Sequence, residues 1–291
     1  MSELREQQGI LYVVATPIGN LQDITARALD TLRSVSLVAA EDTRHSRKLL
    51  AHYGIGTPLV ALHEHNERDI TQRLLQTLAA GEDIALVSDA GTPLISDPGF
   101  YLVRAARQVN IRVVPVPGAS ALIAALSVAG LPTDRFCFEG FLPSRQAARR
   151  QRLQALHAAT ATLVFYESSH RICASLADMA EVFGFGREAT LARELTKTFE
   201  TIRHGTLGEL IDWIDADSNQ QKGEFVVLLQ GASTAKAVEV DVAAAEVLAI
   251  LLAELPLRQA AALAAKITGS PKNALYEHGL MLKSEKQNQP L

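Results

Sequence analysis

Short apolar runs in this chain repeatedly end in turns built from Gly, Pro, Asp and Ser. The clearest is Ile84-Ala85-Leu86-Val87-Ser88-Asp89-Ala90-Gly91-Thr92-Pro93-Leu94-Ile95-Ser96-Asp97-Pro98-Gly99. Residues 84–87 read as a buried strand, and residues 88–99 are mostly small, turn-forming or acidic. Glycine takes positive φ without steric cost, and proline fixes φ near its turn value. In open α/β sheets, ligands sit outside the carboxyl ends of strands, in loops of this kind. The first expectation is therefore a small molecule held at strand ends.

Further apolar runs at 10–15, 37–40, 59–62 and 111–116 alternate with amphipathic stretches such as 70–80 and 101–109. That alternation predicts βα units and a largely parallel sheet. A second series comes next, with strands at 135–139, 162–166, 190–193 and 225–230. Helices at 148–158, 169–183 and 208–214 separate them. After Gly231 the composition turns to Ala and Leu, with helices at 242–255 and 256–268. Gly269 stops the second of these, and Ser270-Pro271 opens a third. The expected fold class is α/β, with two α/β domains at 1–130 and 131–233. A small helix-turn-helix-like appendage occupies 234–291, and its tail, 283–291, is expected to fray.

The 291 residues carry a net charge of −4, so no global positive field draws the chain to nucleic acid. Any such contact must use local basic faces. Cys137 and Cys173 have no metal-ligand spacing, which predicts no metal site and a reduced, cytoplasmic protein. Residues 1–9 lack a signal-peptide core, and no apolar run reaches membrane length.

Six loops can carry chemistry, and each alone is also readable as a plain turn. The first is Thr16-Pro17-Ile18-Gly19-Asn20-Leu21, which has neither a dinucleotide glycine fingerprint nor a Walker lysine. In the second, residues 40–48, Arg44, Arg47 and Lys48 share one helix face that suits a phosphate. The plain alternative pairs Glu41 or Asp42 with an arginine. The third is 88–99. The fourth, Pro115-Val116-Pro117-Gly118-Ala119-Ser120-Ala121, places amides at a helix start. The fifth and sixth are 165–171 and 192–200. Six such loops in two halves favour a shared cleft.

With those loops in hand, the chain resembles the tetrapyrrole methylase superfamily over roughly residues 10–280. The carrying stretches are 16–21, 40–44, 86–99, Pro117-Gly118, 138–143, 165–171, 192–200 and Lys222-Gly223-Glu224. The resemblance is strongest to the branch that methylates a cytidine 2′-oxygen of small-subunit ribosomal RNA in the decoding region. It implies S-adenosylmethionine as cofactor, free RNA or an assembled subunit as substrate, and a homodimer. It places Gly91, Thr92, Leu94, Ile95, Ser120, Ala121, Tyr166, Leu195 and Gly223 at the cofactor. Thr92 stands where tetrapyrrole enzymes have Asp, which argues against that subgroup. A ribose hydroxyl is a poor nucleophile and needs a base or a cation beside the developing alkoxide. Candidates are Asp42, His45, Asp89, Glu167, Glu194 and Lys197. The preferred set is Lys197, Glu194 and Asp89, with a carboxylate paired to Lys197 or Arg193. Pro17, Asn20, Arg44, Arg47, Lys48, Arg149, Arg150, Lys272, Asn273 and Tyr276 are expected at the RNA. The competing readings are a methyltransferase acting on a small tetrapyrrole and a ligand-sensing regulator that binds nucleic acid.

Overall fold

The computed structural model describes residues 8–233, 241–272, 275, 276, 278 and 279. Its chain divides into two compact units, Met1–Ala232 and Ser233–Leu291. Both sheets belong to the first unit, so the boundary expected near residue 130 separates two sheets of one compact body.

The first sheet contains β1 (Ile10–Val14), β2 (Leu37–Ala40), β3 (Leu59–Ala61), β4 (Ile84–Val87) and β5 (Arg112–Val116). Its order is β3-β2-β4-β1-β5, and every pairing is parallel. Parallel strands need crossovers, which cover both faces and bury the strands on both sides. Accordingly, all four residues of β4 are buried. On one face α1 (Ala26–Ser34) and α2 (Thr43–His52) contribute Leu32 and Leu50 to a core with Val38 and Val87. On the other, α3 (Glu67–Ala79) and α4 (Phe100–Gln108) bring Leu74, Leu78, Leu102 and Ala106 against Leu11 and Leu86. The helices after β1 and β4 thus leave toward opposite faces. A crevice opens between the carboxyl ends of these neighbouring strands.

The second sheet is mixed, with order β6-β7-β10-β8-β9. Its strands are β6 (Phe136–Phe141), β7 (Thr162–Ser168), β8 (Glu188–Arg193), β9 (Thr201–Thr206) and β10 (Glu224–Leu229). Only β6 and β7 run parallel. In β10, Phe225, Val227 and Leu229 point into a core with α6 (Gln146–Leu156), α7 (Ile172–Phe183) and α8 (Leu207–Ala216). Val226 and Leu228 point the other way, onto Leu122 and Leu126 of α5 (Ala121–Val128). This period-2 alternation is what joins the two sheets into one body. A bulge between Phe138 and Gly140 shifts the β6 register, with Gly140 at φ +65°. Phe138 and Phe141 consequently both meet Tyr166, with ring centroids 4.8 and 5.7 Å away.

The second unit packs α9 (Val242–Glu254) against α10 (Leu257–Thr268) through Ala244, Leu248, Ala260, Ala261 and Ala264. Gly269 terminates α10 in the left-handed conformation. Lys272, Leu275 and Tyr276 are helical again, Leu275 joining the core. Asn273 and the tail 283–291 lie outside the described residues.

Candidate active site

A cavity of about 430 Å³ lies between the two sheets. The first sheet contributes Ile18 after β1, Glu41 after β2, residues 89–92 and 95–97 after β4 and Ser120-Ala121 after β5. The second contributes Phe141, Tyr166, Leu195, Gly223 and Val226, among others. The loops after β1 and β4 are stitched together. Thr16 and Gly91 exchange backbone hydrogen bonds at 2.9 and 3.0 Å, and the Thr16 hydroxyl donates to the Ser88 carbonyl at 3.2 Å. The Thr92 hydroxyl donates to the Ala119 carbonyl at 3.1 Å, tying in the third loop. The Leu122 amide donates to Tyr166 Oη at 3.1 Å, a bond that crosses from α5 to β7.

Backbone strain gathers here. Among the described residues, five non-glycines have positive φ: Leu94, Ser96, Asn110, Glu194 and Thr196. All but Asn110 sit in the two loops that flank the cavity. Such residues persist where surrounding structure over-determines them, commonly at ligand sites. Gly223, at φ +100°, lies under Glu194. A Cβ there would come within 2.5 Å of that side chain.

Charge is arranged in two groups. Glu41, Asp89 and Asp97 form an acidic wall. Burial, then the neighbouring Asp89, Asp42 and Glu64 charges, raise Glu41 despite the Asp89 amide that donates to it. Burial pushes Asp97 up to about 6, reinforced by Glu41 and Asp89 and opposed by the Ser88 hydroxyl. On the other side, Lys197 Nζ lies 2.8 Å from Glu194 and 2.9 Å from Glu224. Burial opposes the charge on each of Glu194 and Lys197. The ion pairing outweighs it, holding Glu194 below its ordinary value and Lys197 above. Lys197 therefore stays an ammonium and has no lone pair to offer as a base.

The structure places Asp89, Gly91, Thr92, Ile95, Ser120, Ala121, Tyr166, Leu195 and Gly223 on the cavity wall. Leu94 is not among the lining residues; its side chain packs into the core beneath α4, near Leu86 and Leu102. Glu194 and Lys197 sit behind Glu224, which does line the cavity. Arg193 is spent on the carbonyls of Lys222, Phe199 and Asn219. Arg149, expected at the RNA, is not at the surface. It is 4% exposed, and its guanidinium lies 2.6 Å from the buried Asp178. Arg150 is half-exposed but shared between Asp178 and Glu181. Arg44 takes the plain reading, paired with Asp42, the N-cap of α2. Arg47, Lys48 and Lys272 are exposed. Asn20 caps a 3-10 turn by accepting from the Gln22 amide, and Pro17 is half-buried beside it. Sequence reasoning assigned no site role to Phe141, Glu224 or Val226, although the first two lie in stretches that carry the resemblance, and it gave Asp97 no catalytic weight. A strand-end carboxylate after a proline-rich turn was the available signal for Asp97.

A family model described as Tetrapyrrole (Corrin/Porphyrin) Methylases matches residues 10–211, and one described as RsmI C-terminal HTH domain matches 238–283. A Pseudomonas aeruginosa protein named ribosomal RNA small subunit methyltransferase I is 63% identical over 273 residues, covering 94% of this chain and 97% of that one. Its Escherichia coli O157:H7 namesake is 56% identical, covering 94% and 95%. Uroporphyrin-III-C-methyltransferase from Thermus thermophilus superposes with a TM-score of 0.54 at 22% identity, over 77% of this chain and 94% of that one. A further structure of that enzyme, complexed with S-adenosylhomocysteine, gives 0.52 at 20% identity over 76% and 97%. Diphthine synthase gives 0.59 at 17% identity over 76% and 90%. The structural likenesses establish the fold. The family model matched over residues 10–211 shows that this chain belongs to the tetrapyrrole (corrin/porphyrin) methylase family.

Proposed function

We propose that this protein transfers a methyl group from S-adenosylmethionine to the 2′-oxygen of a cytidine in small-subunit ribosomal RNA, in the decoding region. The observation that carries the reading is the cleft, where an acidic wall faces an apolar one. Ile18, Ile95, Leu195 and Val226 offer a surface for adenine and exclude water. Asp89, Asp97 and Glu41 supply negative potential opposite it, which suits a cationic sulfonium. The relatives' names, at 56–63% identity over 94% of the chain, support ribosomal RNA as the acceptor.

S-adenosylmethionine supplies a methyl group on a positively charged sulfur, already activated for displacement. The protein's own part is to orient the acceptor hydroxyl and to receive its proton. Asp97 is suited to the second task because a carboxyl titrating near neutrality is a competent base at working pH. Asp89 is held in place by accepting from the Asp42 amide at 3.0 Å. Lys197 fixes Glu224 at the cavity rim. The same reading takes Arg47, Lys48 and Lys272 as phosphate contacts, the working form as a dimer and the compartment as the cytoplasm. No helix among the described residues is long and apolar enough to cross a membrane.

The test is transfer of a labelled methyl group to unmodified small subunits and to their naked RNA, with the label mapped by nuclease digestion. Label on one cytidine ribose is the expected result. Label on a base, or no transfer despite cofactor binding by calorimetry, would overturn the proposed acceptor.

A further inference from the structure

A second concavity, about 370 Å³, lies between α3 and α4 on the outer face of the first sheet. Arg68, Thr71, Gln72, Tyr101, Arg104, Ala105 and Gln108 line it, and no carboxylate is among them. The Arg68 guanidinium carbon lies 4.9 Å from the Tyr101 ring centroid, and its Nη2 donates to Tyr101 Oη at 3.1 Å. Arg104 lies 5.9 Å over the Phe100 ring, and the two rings meet at 5.6 Å. The cluster thus alternates cation and ring. Its rings stay open to solvent, Phe100 at 56% and Tyr101 at 41% exposure.

The groove is built rigidly. Glu67 at the start of α3 is buried, and its Oε1 accepts from the amides of Gly99, Tyr101 and Leu102 at 3.0, 2.8 and 3.4 Å. One carboxylate therefore caps the amino end of α4 and fixes it against α3. The loop that lines the catalytic cavity, ending in Asp97-Pro98-Gly99, runs directly into this helix. Phe100 and Tyr101, the first two residues of α4, therefore follow that loop directly in the chain.

We propose that the α3–α4 groove holds a single-stranded stretch of the RNA substrate flanking the methylated nucleotide. Arg68 and Arg104 take phosphates, and Phe100 and Tyr101 stack bases. The inference rests on the RNA reading above. The chemistry is that of single-strand recognition, in which arginines track the backbone and every base has a face to stack. Among the described residues neither Arg68 nor Arg104 is in an ion pair with a carboxylate, so in a chain of net charge −4 the two present positive charge beside two open rings. Gln72 adds a hydrogen-bonding group but no opposing charge, whereas the buried Thr71 hydroxyl donates to the Glu67 carbonyl within α3.

The experiment compares the full-length wild type with R68Q/R104Q and with Tyr101→Leu. A labelled single-stranded RNA oligonucleotide from the methylated region reports binding across a salt series. Methyl transfer to small subunits reports KM, and calorimetry reports cofactor affinity. The double variant is expected to bind RNA about tenfold more weakly. Its dependence of log K on log salt should flatten by about 0.7 per lost phosphate contact. Tyr101→Leu should raise KM about tenfold with the salt slope kept, as loss of stacking predicts. Cofactor affinity should not change, which also shows that the variants fold. Tyr101→Phe, which keeps the ring, should restore binding. Unchanged RNA affinity and salt slope in the double variant would overturn the proposal. So would a KM defect on assembled subunits with normal binding of free RNA, which would indicate a protein contact. A wild type that methylates no RNA would instead overturn the function proposed above.

Discussion

Asp97 is a carboxyl group whose proton equilibrium the fold has moved to about 6, first by burial and then by Glu41 and Asp89. If it receives the hydroxyl proton, kcat/KM for methyl transfer rises about tenfold per pH unit below that value and levels off above it. Asp97→Asn should lose roughly 10²–10⁴ in rate together with that limb, read from initial rates across pH. A variant retaining the limb would assign it to another group. Stability has the opposite sign. The folded pKa exceeds the unfolded 3.8, so the native state binds more protons between 3.8 and about 6. Stability is lost as pH rises through that window. Asp97→Asn should therefore melt higher than the wild type at pH 7. The glycine and proline turns around this residue were legible because turn chemistry is local. Arg149 was not legible, because Asp178, which buries it, lies 29 positions downstream. A basic run in sequence does not say which guanidinium faces water.

At the scale of elements, α6 is fastened to α7 through one carboxylate. Asp178 accepts from Arg149, Arg150 and Gln146, and its side chain is 1% exposed. Truncating it leaves a buried guanidinium without its partner. Asp178→Ala should cost about 3–5 kcal/mol by urea denaturation. A loss under about 1 kcal/mol would mean that Arg149 finds water in the folded state. Strands with continuous apolar runs, β1, β2, β4 and β10, were readable from the sequence, as was the largely parallel character of the first sheet, though not its strand order. β9 was not. Its residues Thr201-Ile202-Arg203-His204-Gly205-Thr206 form an edge strand, exposed or half-buried throughout, with no buried face to leave a period-2 signal. The antiparallel entry of β8 and β10 also escaped, because strand direction depends on where a crossover lands rather than on local composition. The β6 bulge that turns both Phe138 and Phe141 toward Tyr166 hid Phe141 from any simple alternation.

At the scale of the molecule, two compact units are joined near residues 232–233. The first contains the whole cavity proposed as the active site and both sheets that form it. A chain ending at Ala232 should melt cooperatively and bind S-adenosylmethionine with the affinity of the full protein. Calorimetry and thermal denaturation check this. Failure of the shortened chain to fold would show that Ser233–Leu291 is needed for its stability. The change of composition after Gly231 was visible in the sequence because helices rich in Ala and Leu replace the strand-turn alternation. That both sheets would share one body was not, since it depends on α5 packing against Val226 and Leu228.

The Thr16–Gly91 exchange of hydrogen bonds joins residues 75 positions apart, and the Thr92–Ala119 bond adds another 27. No local fragment can assemble such a site. Its loops take their binding shape only after β1 has found β4, a distant pairing that is slow by nature. Cofactor affinity in this protein is therefore a clock for late folding, appearing only when long-range order is complete. For the same reason the ligand grips the body as a whole. At a hundredfold its dissociation constant it should add about 2.7 kcal/mol to global unfolding rather than quieting one loop.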